Sequence, residues 1–156
     1  MKRIIYFTLL LLTALSVNAP VKVISPHPDI KVKLLRCKEA GGTATLEFTL
    51  TNLSNKDMTI YMWGAEPTRT TKVYDDEGNI YDTDEQVSVQ IANGPASSYM
   101  KCSENTFPSD VPVKCRVFIN GLDEYAAELS KVIVDLFVVN GTNKDIEFKN
   151  VPIIRD

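Results

Sequence analysis

Histidine is almost absent from this sequence, which has one, His27, among its 156 residues. Catalysis by a serine or cysteine nucleophile usually needs an imidazole beside the nucleophile, and zinc sites usually gather several His or Cys ligands. His27 lies between two prolines, Pro26 and Pro28, outside the predicted core. The sequence therefore predicts a protein that is not an enzyme and that needs no cofactor.

The sequence also lacks an apolar run long enough to form a membrane-spanning helix, which takes about 20 residues. Residues 4–15 are mostly apolar, follow Lys2 and Arg3, and lead into small residues, which is the pattern of a secretory signal peptide. Val17-Asn18-Ala19 and Ala14-Leu15-Ser16 are alternative cleavage sites. We expect residues 1–19 to be a leader, the product to be periplasmic or secreted, and no membrane insertion once the leader is removed.

The chain lacks a continuous run of basic residues. It has 17 Lys and Arg residues against 20 Asp and Glu, and residues 1–19 hold two of the bases and no acid, so the remainder carries a net charge of about −5. Nucleic acids and anionic lipids are usually recognised through clustered positive charge. We therefore expect neither as a partner.

Helical periodicity is scarce, and period-two alternation dominates instead. One short helical turn is predicted around Leu122, Tyr125, Ala126 and Leu129, whereas the nearly continuous apolar stretch 132–139 predicts a central strand. Gly41-Gly42, Gly78-Asn79 and Asn140-Gly141 predict turns between strands. The pattern predicts an extended tether over 20–28, followed over 29–156 by an antiparallel β-sandwich of about seven to nine strands, with a β-barrel as the alternative. Alternating apolar residues define three of the strands: 44, 46, 48 and 50; 87, 89 and 91; and 111, 113, 115, 117 and 119.

The order of the segments resembles a known group of proteins. The segments are Ile30 to Cys37, Leu46 to Asn52, Lys72 to Tyr81, Val111 to Lys114 and Ile146 to Ile153. Together they resemble small exported immunoglobulin-like (telokin-like) β-sandwich proteins of unknown function from Bacteroides-type bacteria. The resemblance implies an immunoglobulin-like fold and a binding or assembly module, and it offers no catalytic residues.

Three cysteines in an exported chain allow one disulfide and leave one thiol. Cys102 and Cys115 form the favoured pair because they bracket a proline-containing segment that a bridge would hold in place. A bridge from Cys37 to either of them, or no disulfide at all, is the alternative.

An acidic cluster surrounds Gly78. Its carboxylates could contribute oxygen ligands to calcium, but their spacing does not match an EF-hand, and a hairpin with solvated acids explains them equally well. The solvated hairpin is the favoured interpretation. The calcium candidates are Asp75, Asp76, Glu77 and Asp82.

Aromatic residues alternate with aliphatic ones over 58–63. Tyr61 and Trp63 fall on one face, and Met58, Ile60 and Met62 fall on the other. The favoured interpretation places the two rings in the core. In the alternative phase they are exposed, adjoin Tyr74 and Tyr81, and form a surface for ligand contact.

We therefore expect a non-catalytic exported module that binds a protein or glycan through a sheet face or through the loop 93–110. A protease inhibitor that presents the segment 102–115 is the alternative, because small exported sandwiches can display a reactive loop.

Overall fold

The computed structural model of the protein describes residues 19–139 and 145–155, and every regular element in these ranges is a β-strand. The fold is therefore all-β, as predicted. The predicted leader, except Ala19, and the predicted Asn140-Gly141 turn lie outside the described residues. The strands are β1 (Lys22–Ile24), β2 (Ile30–Ala40), β3 (Thr43–Asn52), β4 (Met58–Trp63), β5 (Lys72–Asp75), β6 (Ile80–Tyr81), β7 (Val87–Ile91), β8 (Ser103–Phe107), β9 (Pro112–Asn120), β10 (Glu128–Val138) and β11 (Ile146–Arg155).

The core is built from the alternating apolar residues of the strands. In β3 the side chains of Leu46 and Phe48 are 0% exposed, and in β7 the same holds for Val89 and Ile91. The ring of Phe48 packs against Phe148 of β11 with 5.1 Å between centroids. Burial of each such side chain contributes about 1.5–3 kcal/mol. The strands predicted at these positions are confirmed.

The long strands β10 and β11 each pair with three neighbours. The hydrogen-bonded order is β6-β5-β10-β11-β2-β3-β9-β7, with β1 beside β11, β4 beside β10 and β8 beside β4. β10 pairs with β5 through Leu129–Ile133 and then with β4 through Asp135–Val138. The central strand predicted at 132–139 is thus confirmed, and the strands form one mixed, nearly closed, barrel-like sheet.

The predicted antiparallel arrangement fails at one pairing. The end of β11, Ile153–Arg155, runs parallel to Cys37–Glu39 of β2, whereas the other named strand pairs are antiparallel. β11 pairs with β10 as far as Pro152, which has no N–H to continue the ladder. Shortly before it, Asn150 has a φ of 55°. This local break directs the last residues of β11 toward β2.

The open edge of β7 is covered by the segment that leads to β8. Val89 N–H donates to Ser97 Oγ at 2.9 Å, and Ile91 N–H donates to Ser103 Oγ at 2.9 Å. The hydroxyl groups replace a neighbouring strand and so satisfy an edge that could otherwise pair with another chain. Gly64 permits the close approach here, since a Cβ at this residue would lie 2.6 Å from Ser97 Oγ.

Three local predictions have different outcomes. The predicted short helical turn near Leu122 is not confirmed: Ala126 N–H donates to Asp123 O at 3.2 Å, which closes a single turn, and Leu129 already belongs to β10. The apolar alternation that starts at Ile30 slips at Leu35 and Cys37, which predicts either a bulge or burial on both faces; the structure has a bulge, with the register shift between Leu34 and Arg36. Within the predicted tether, Lys22–Ile24 form β1 and pair with β11.

Candidate binding surface

The outer face of β4 and β10 carries aromatic side chains. Ile60 and Met62 are 0% exposed and therefore belong to the core, so Tyr61 and Trp63 point outward. Directly paired residues of neighbouring strands share a face, and the register pairs Phe137 with Tyr61 and Asp135 with Trp63. The favoured interpretation from the sequence, with both rings in the core, is wrong.

Tyr61, Trp63 and Phe137 form one half-buried group, here called the aromatic cluster. The centroids of Tyr61 and Trp63 are 5.9 Å apart with 29° between the ring planes. Phe137 lies 6.0 Å from Tyr61 and 6.5 Å from Trp63, tilted against both. These separations are within the usual range for aromatic pairs, each of which adds about 0.5–1.5 kcal/mol beyond the area it buries. The three rings thus form a stable apolar area that water still reaches.

Arg69 lies over the aromatic cluster. Its guanidinium carbon is 4.5 Å from the centroid of Trp63 and 5.5 Å from that of Phe137, which is cation–π geometry. Its Nη1 atom donates to Asp135 Oδ1 at 3.2 Å. The short connection between β4 and β5 positions Arg69, since Glu66 N–H donates to Arg69 O at 3.0 Å.

Both the side chain and the backbone N–H of Asp135 form hydrogen bonds. Its N–H donates to Thr71 Oγ1 at 3.2 Å, and the same hydroxyl donates to Trp63 O at 2.5 Å. Burial raises the pKa of Asp135 above its ordinary value, although the positive charge of Arg69 opposes this. The surface therefore combines rings for stacking with an arginine and a carboxylate that can hydrogen bond to a polar ligand.

Of the other two predicted contact residues, one shares this side of the sheet and one does not. Tyr74 of β5 is half-buried and faces outward beside Lys131 of β10. Tyr81 is 3% exposed, so its prediction as a ligand contact is wrong. Its hydroxyl group donates to Asp75 Oδ2 at 2.8 Å and accepts from Asp123 N–H at 3.0 Å. Tyr81 is a structural residue.

The acidic cluster is used within the fold. Asp75 is 4% exposed and accepts hydrogen bonds from Asn79 N–H and Nδ2 at 2.8 and 2.9 Å, as well as from Tyr81. Burial disfavours the charged carboxylate, but these hydrogen bonds outweigh it and lower the pKa of Asp75. Asp76 Oδ1 accepts from the N–H groups of residues 127 and 128 at 3.0 and 3.2 Å, while Glu77 and Asp82 are exposed. Among the described residues no group of three or more His, Cys, Asp or Glu side chains is arranged to hold a metal ion.

The three cysteines are free thiols in the structure, so the predicted Cys102–Cys115 disulfide is not formed in it. Cys115 points into the core and is 0% exposed. Cys102 precedes Ser103, whose side chain points inward, so alternation directs Cys102 outward, where it is half-buried. Burial raises the pKa of Cys37 and of Cys115 to about 12.

The segment 102–115 is mostly strand. It contains β8, the beginning of β9 and a short link between them. In that link, Asp110 N–H donates to Asn52 O at 2.8 Å and Ser109 Oγ donates to Ser54 O at 2.6 Å. These hydrogen bonds hold the link against the end of β3 and the residues that follow it.

Sequence reasoning missed three members of the surface: Arg69, Asp135 and Phe137. Asp135 and Phe137 alternate with Leu136 and Val138, so the period-two pattern could have assigned them to the outer face. No sequence signal places Arg69 over the rings, because its position depends on the folded connection between β4 and β5.

Comparison with protein-family models and with curated proteins finds no match for this chain. The described residues include no helix with the length and apolar character to cross a membrane. The resemblance to small exported immunoglobulin-like proteins stays a prediction.

Proposed function

We propose that the protein is an exported, non-catalytic binding module of the immunoglobulin-like β-sandwich type, which contacts a glycan or a protein through the outer face of β4 and β10. The observation that carries this proposal is the aromatic cluster with Arg69 over it. Large aromatic side chains that remain accessible on a sheet face are typical of contact surfaces, where tyrosine, tryptophan and arginine contribute most of the binding free energy.

The chemistry of the surface suits a ligand with both apolar and hydroxyl-bearing faces. The rings offer stacking area, and the Arg69–Asp135 pair offers charged hydrogen-bond donors and acceptors beside it. Side-chain exposure is 26% for Arg69 and 18% for Asp135, so both retain contact with solvent. A ligand could therefore exchange water for protein contacts without opening the core.

The sandwich assignment draws support from the packing of β3 against β11 through Phe48 and Phe148. Export draws support from the leader pattern of residues 1–19.

Trp63 reports on the surface directly because it is the only tryptophan in the chain. Its emission is followed while the protein is titrated with a panel of neutral and acidic polysaccharides. A protein partner is sought in parallel with a photo-crosslinking amino acid at position 61. We expect a ligand that shifts the emission or forms an adduct, and whose binding Phe137→Ala weakens by roughly tenfold or more, the scale of a contact residue worth over 1 kcal/mol.

Tyr125→Ala is the matched control, since Tyr125 is 75% exposed and lies outside the surface. The proposal is wrong if no glycan or protein binds in a manner that depends on Phe137, or if Tyr125→Ala weakens binding to the same extent.

A further inference from the structure

A second charged surface lies on another part of the sheet, on the outer face of β2, β3 and β9. Its residues follow from the register, because directly paired residues share a face. Across the three strands, Lys33 pairs with Thr49 and Thr49 with Lys114, and in the next row Arg36 pairs with Glu47 and Glu47 with Arg116. We call this the basic face; its charged residues are Lys31, Lys33, Arg36, Lys38, Lys114 and Arg116, with Glu47 among them.

The basic face contrasts with the rest of the molecule. Six cations and one carboxylate share it, although the chain without residues 1–19 has a net charge of about −5. Residues 73–100 contain no lysine or arginine, so negative charge is concentrated elsewhere. Segregation of this kind creates a local positive potential that attracts an anionic partner despite the negative total.

Glu47 organises the two arginines of the basic face. Arg36 Nε donates to Glu47 Oε2 at 2.8 Å, and Arg116 Nε donates to Glu47 Oε1 at 3.3 Å. Burial disfavours the charge, but the two arginines outweigh it and lower the pKa of Glu47. The contact of Arg36 uses Nε, and its side chain is 55% exposed, so its two terminal nitrogens can reach a ligand. The carboxylate thus fixes both arginines in place; Arg36 keeps donors for a ligand, whereas Arg116 Nη1 also donates to Gln90 Oε1 and Ala92 O at 3.0 and 3.2 Å.

We infer that the basic face binds an acidic polysaccharide. The central row, on the outer side of β3, carries Thr45, Thr49 and Thr51 together with Glu47, whose charge is compensated by the two arginines. The threonine hydroxyl groups can hydrogen bond to sugar hydroxyls, while the lysines and arginines on both sides contact sulfate or carboxylate groups. Neighbouring strands are roughly 4.8 Å apart, so a chain lying along β3 passes between two rows of cations.

Two other polyanions fit the face less well. Single-stranded nucleic acids are usually held by several aromatic rings on which bases stack, and Phe118 is the one ring in the rows of the basic face. Peripheral membrane binding usually adds apolar side chains that enter the bilayer, whereas the middle row of this face carries three threonines and Glu47. Nucleic acid and anionic lipid therefore serve as comparison ligands in the test.

The experiment measures the binding of heparin, used as the sulfated probe, to the whole protein by titration calorimetry at several salt concentrations. Each cation that contacts the polymer contributes roughly 0.7 to the slope of log K against log salt, the value for single-stranded polyanions. The double variant Lys33→Gln with Lys114→Gln should therefore bind roughly tenfold or more weakly and lower the slope by about 1.4. Dextran, which is uncharged, should not bind.

Lys131→Gln with Lys149→Gln is the control, because it removes the same number of cations from another part of the sheet, where both lie beside Glu147. It should bind heparin within about twofold of the unmodified protein, a difference of less than 0.5 kcal/mol. Lys31→Gln with Lys38→Gln serves as a second test pair if the first does not fold, as judged by circular dichroism. Heparin bound here should leave the emission of Trp63 unchanged, which separates this inference from the proposed function of the aromatic cluster.

The inference is overturned if heparin does not bind at physiological salt, or if the test and control pairs bind it equally. It is also overturned if single-stranded DNA of equal length, or vesicles rich in phosphatidylserine, bind as tightly as heparin.

Discussion

Removing the hydroxyl group of Tyr81 is expected to destabilise the fold strongly, because this group joins β6 to two other segments. In Tyr81→Phe, the carboxylate of Asp75 loses a 2.8 Å hydrogen bond and the N–H of Asp123 loses its 3.0 Å acceptor. A hydrogen bond to a charged group contributes about 1.5–3 kcal/mol, and a neutral one contributes about 1 kcal/mol. The expected loss in the free energy of unfolding is therefore about 2–4 kcal/mol.

Urea unfolding followed by Trp63 emission measures this loss. With an m-value of about 2 kcal/mol/M, the midpoint should fall by roughly 1–2 M. Tyr74→Phe is the control, because Tyr74 is half-buried on the outer face and forms none of these bonds; its stability should change by less than about 0.5 kcal/mol. A loss below 0.5 kcal/mol in Tyr81→Phe would refute the structural role of its hydroxyl group.

Three further predictions follow from buried groups. Phe48→Ala should cost about 3–5 kcal/mol in urea unfolding, since the ring is fully buried against its neighbours, and a cost below 1 kcal/mol would contradict the core. Because folding lowers the pKa of Asp75, the stabilising contribution of its carboxylate is complete above the ordinary pKa of about 4 and is lost as the pH falls through the folded value. The loss in the free energy of unfolding caused by Asp75→Asn should therefore become smaller below about pH 4. A thiol reagent should modify Cys102 alone in the folded protein and all of Cys37, Cys102 and Cys115 in urea, whereas one reactive thiol in urea would reveal a disulfide.

The strands with one apolar face could be predicted from the sequence because each carries its own signal. In β3 and β7 apolar and polar residues alternate, and burial follows the same alternation except at Glu47 and Asn52 of β3, which are buried as well. The bulge in β2 was also readable, since the extra residue near Leu35 shifts the phase of the apolar positions. The pattern of neighbouring residues determines these features, so they can be predicted from the sequence.

The arrangement of the strands could not be predicted in the same way. β10 pairs with three strands, and the end of β11 runs parallel to β2, both of which depend on contacts between residues far apart in the chain. The helical periodicity near Leu122 was misleading because Leu129 continues into β10 and is buried there as a strand residue.

Prediction of the candidate surface from the sequence depended on which face of β4 enters the core. In β4 one set of alternating residues is aliphatic and the other is mainly aromatic, so either face could enter the core, and the sequence alone could not decide. The partner strand decides it, because Asp135 pairs with Trp63 and a carboxylate in the core would be costly. The basic face escaped notice for a related reason: its cations alternate along β2 and continue on β9, so they never form a run.

The proposed binding surface depends most directly on the outward position of Trp63 beneath Arg69. Acrylamide quenching of tryptophan emission tests this in the folded protein and in Arg69→Ala, which removes the guanidinium 4.5 Å from the ring. We predict measurable quenching in the folded protein and stronger quenching in the variant. If acrylamide quenches the emission only after unfolding, in both proteins, Trp63 lies in the core and the proposed binding surface does not exist.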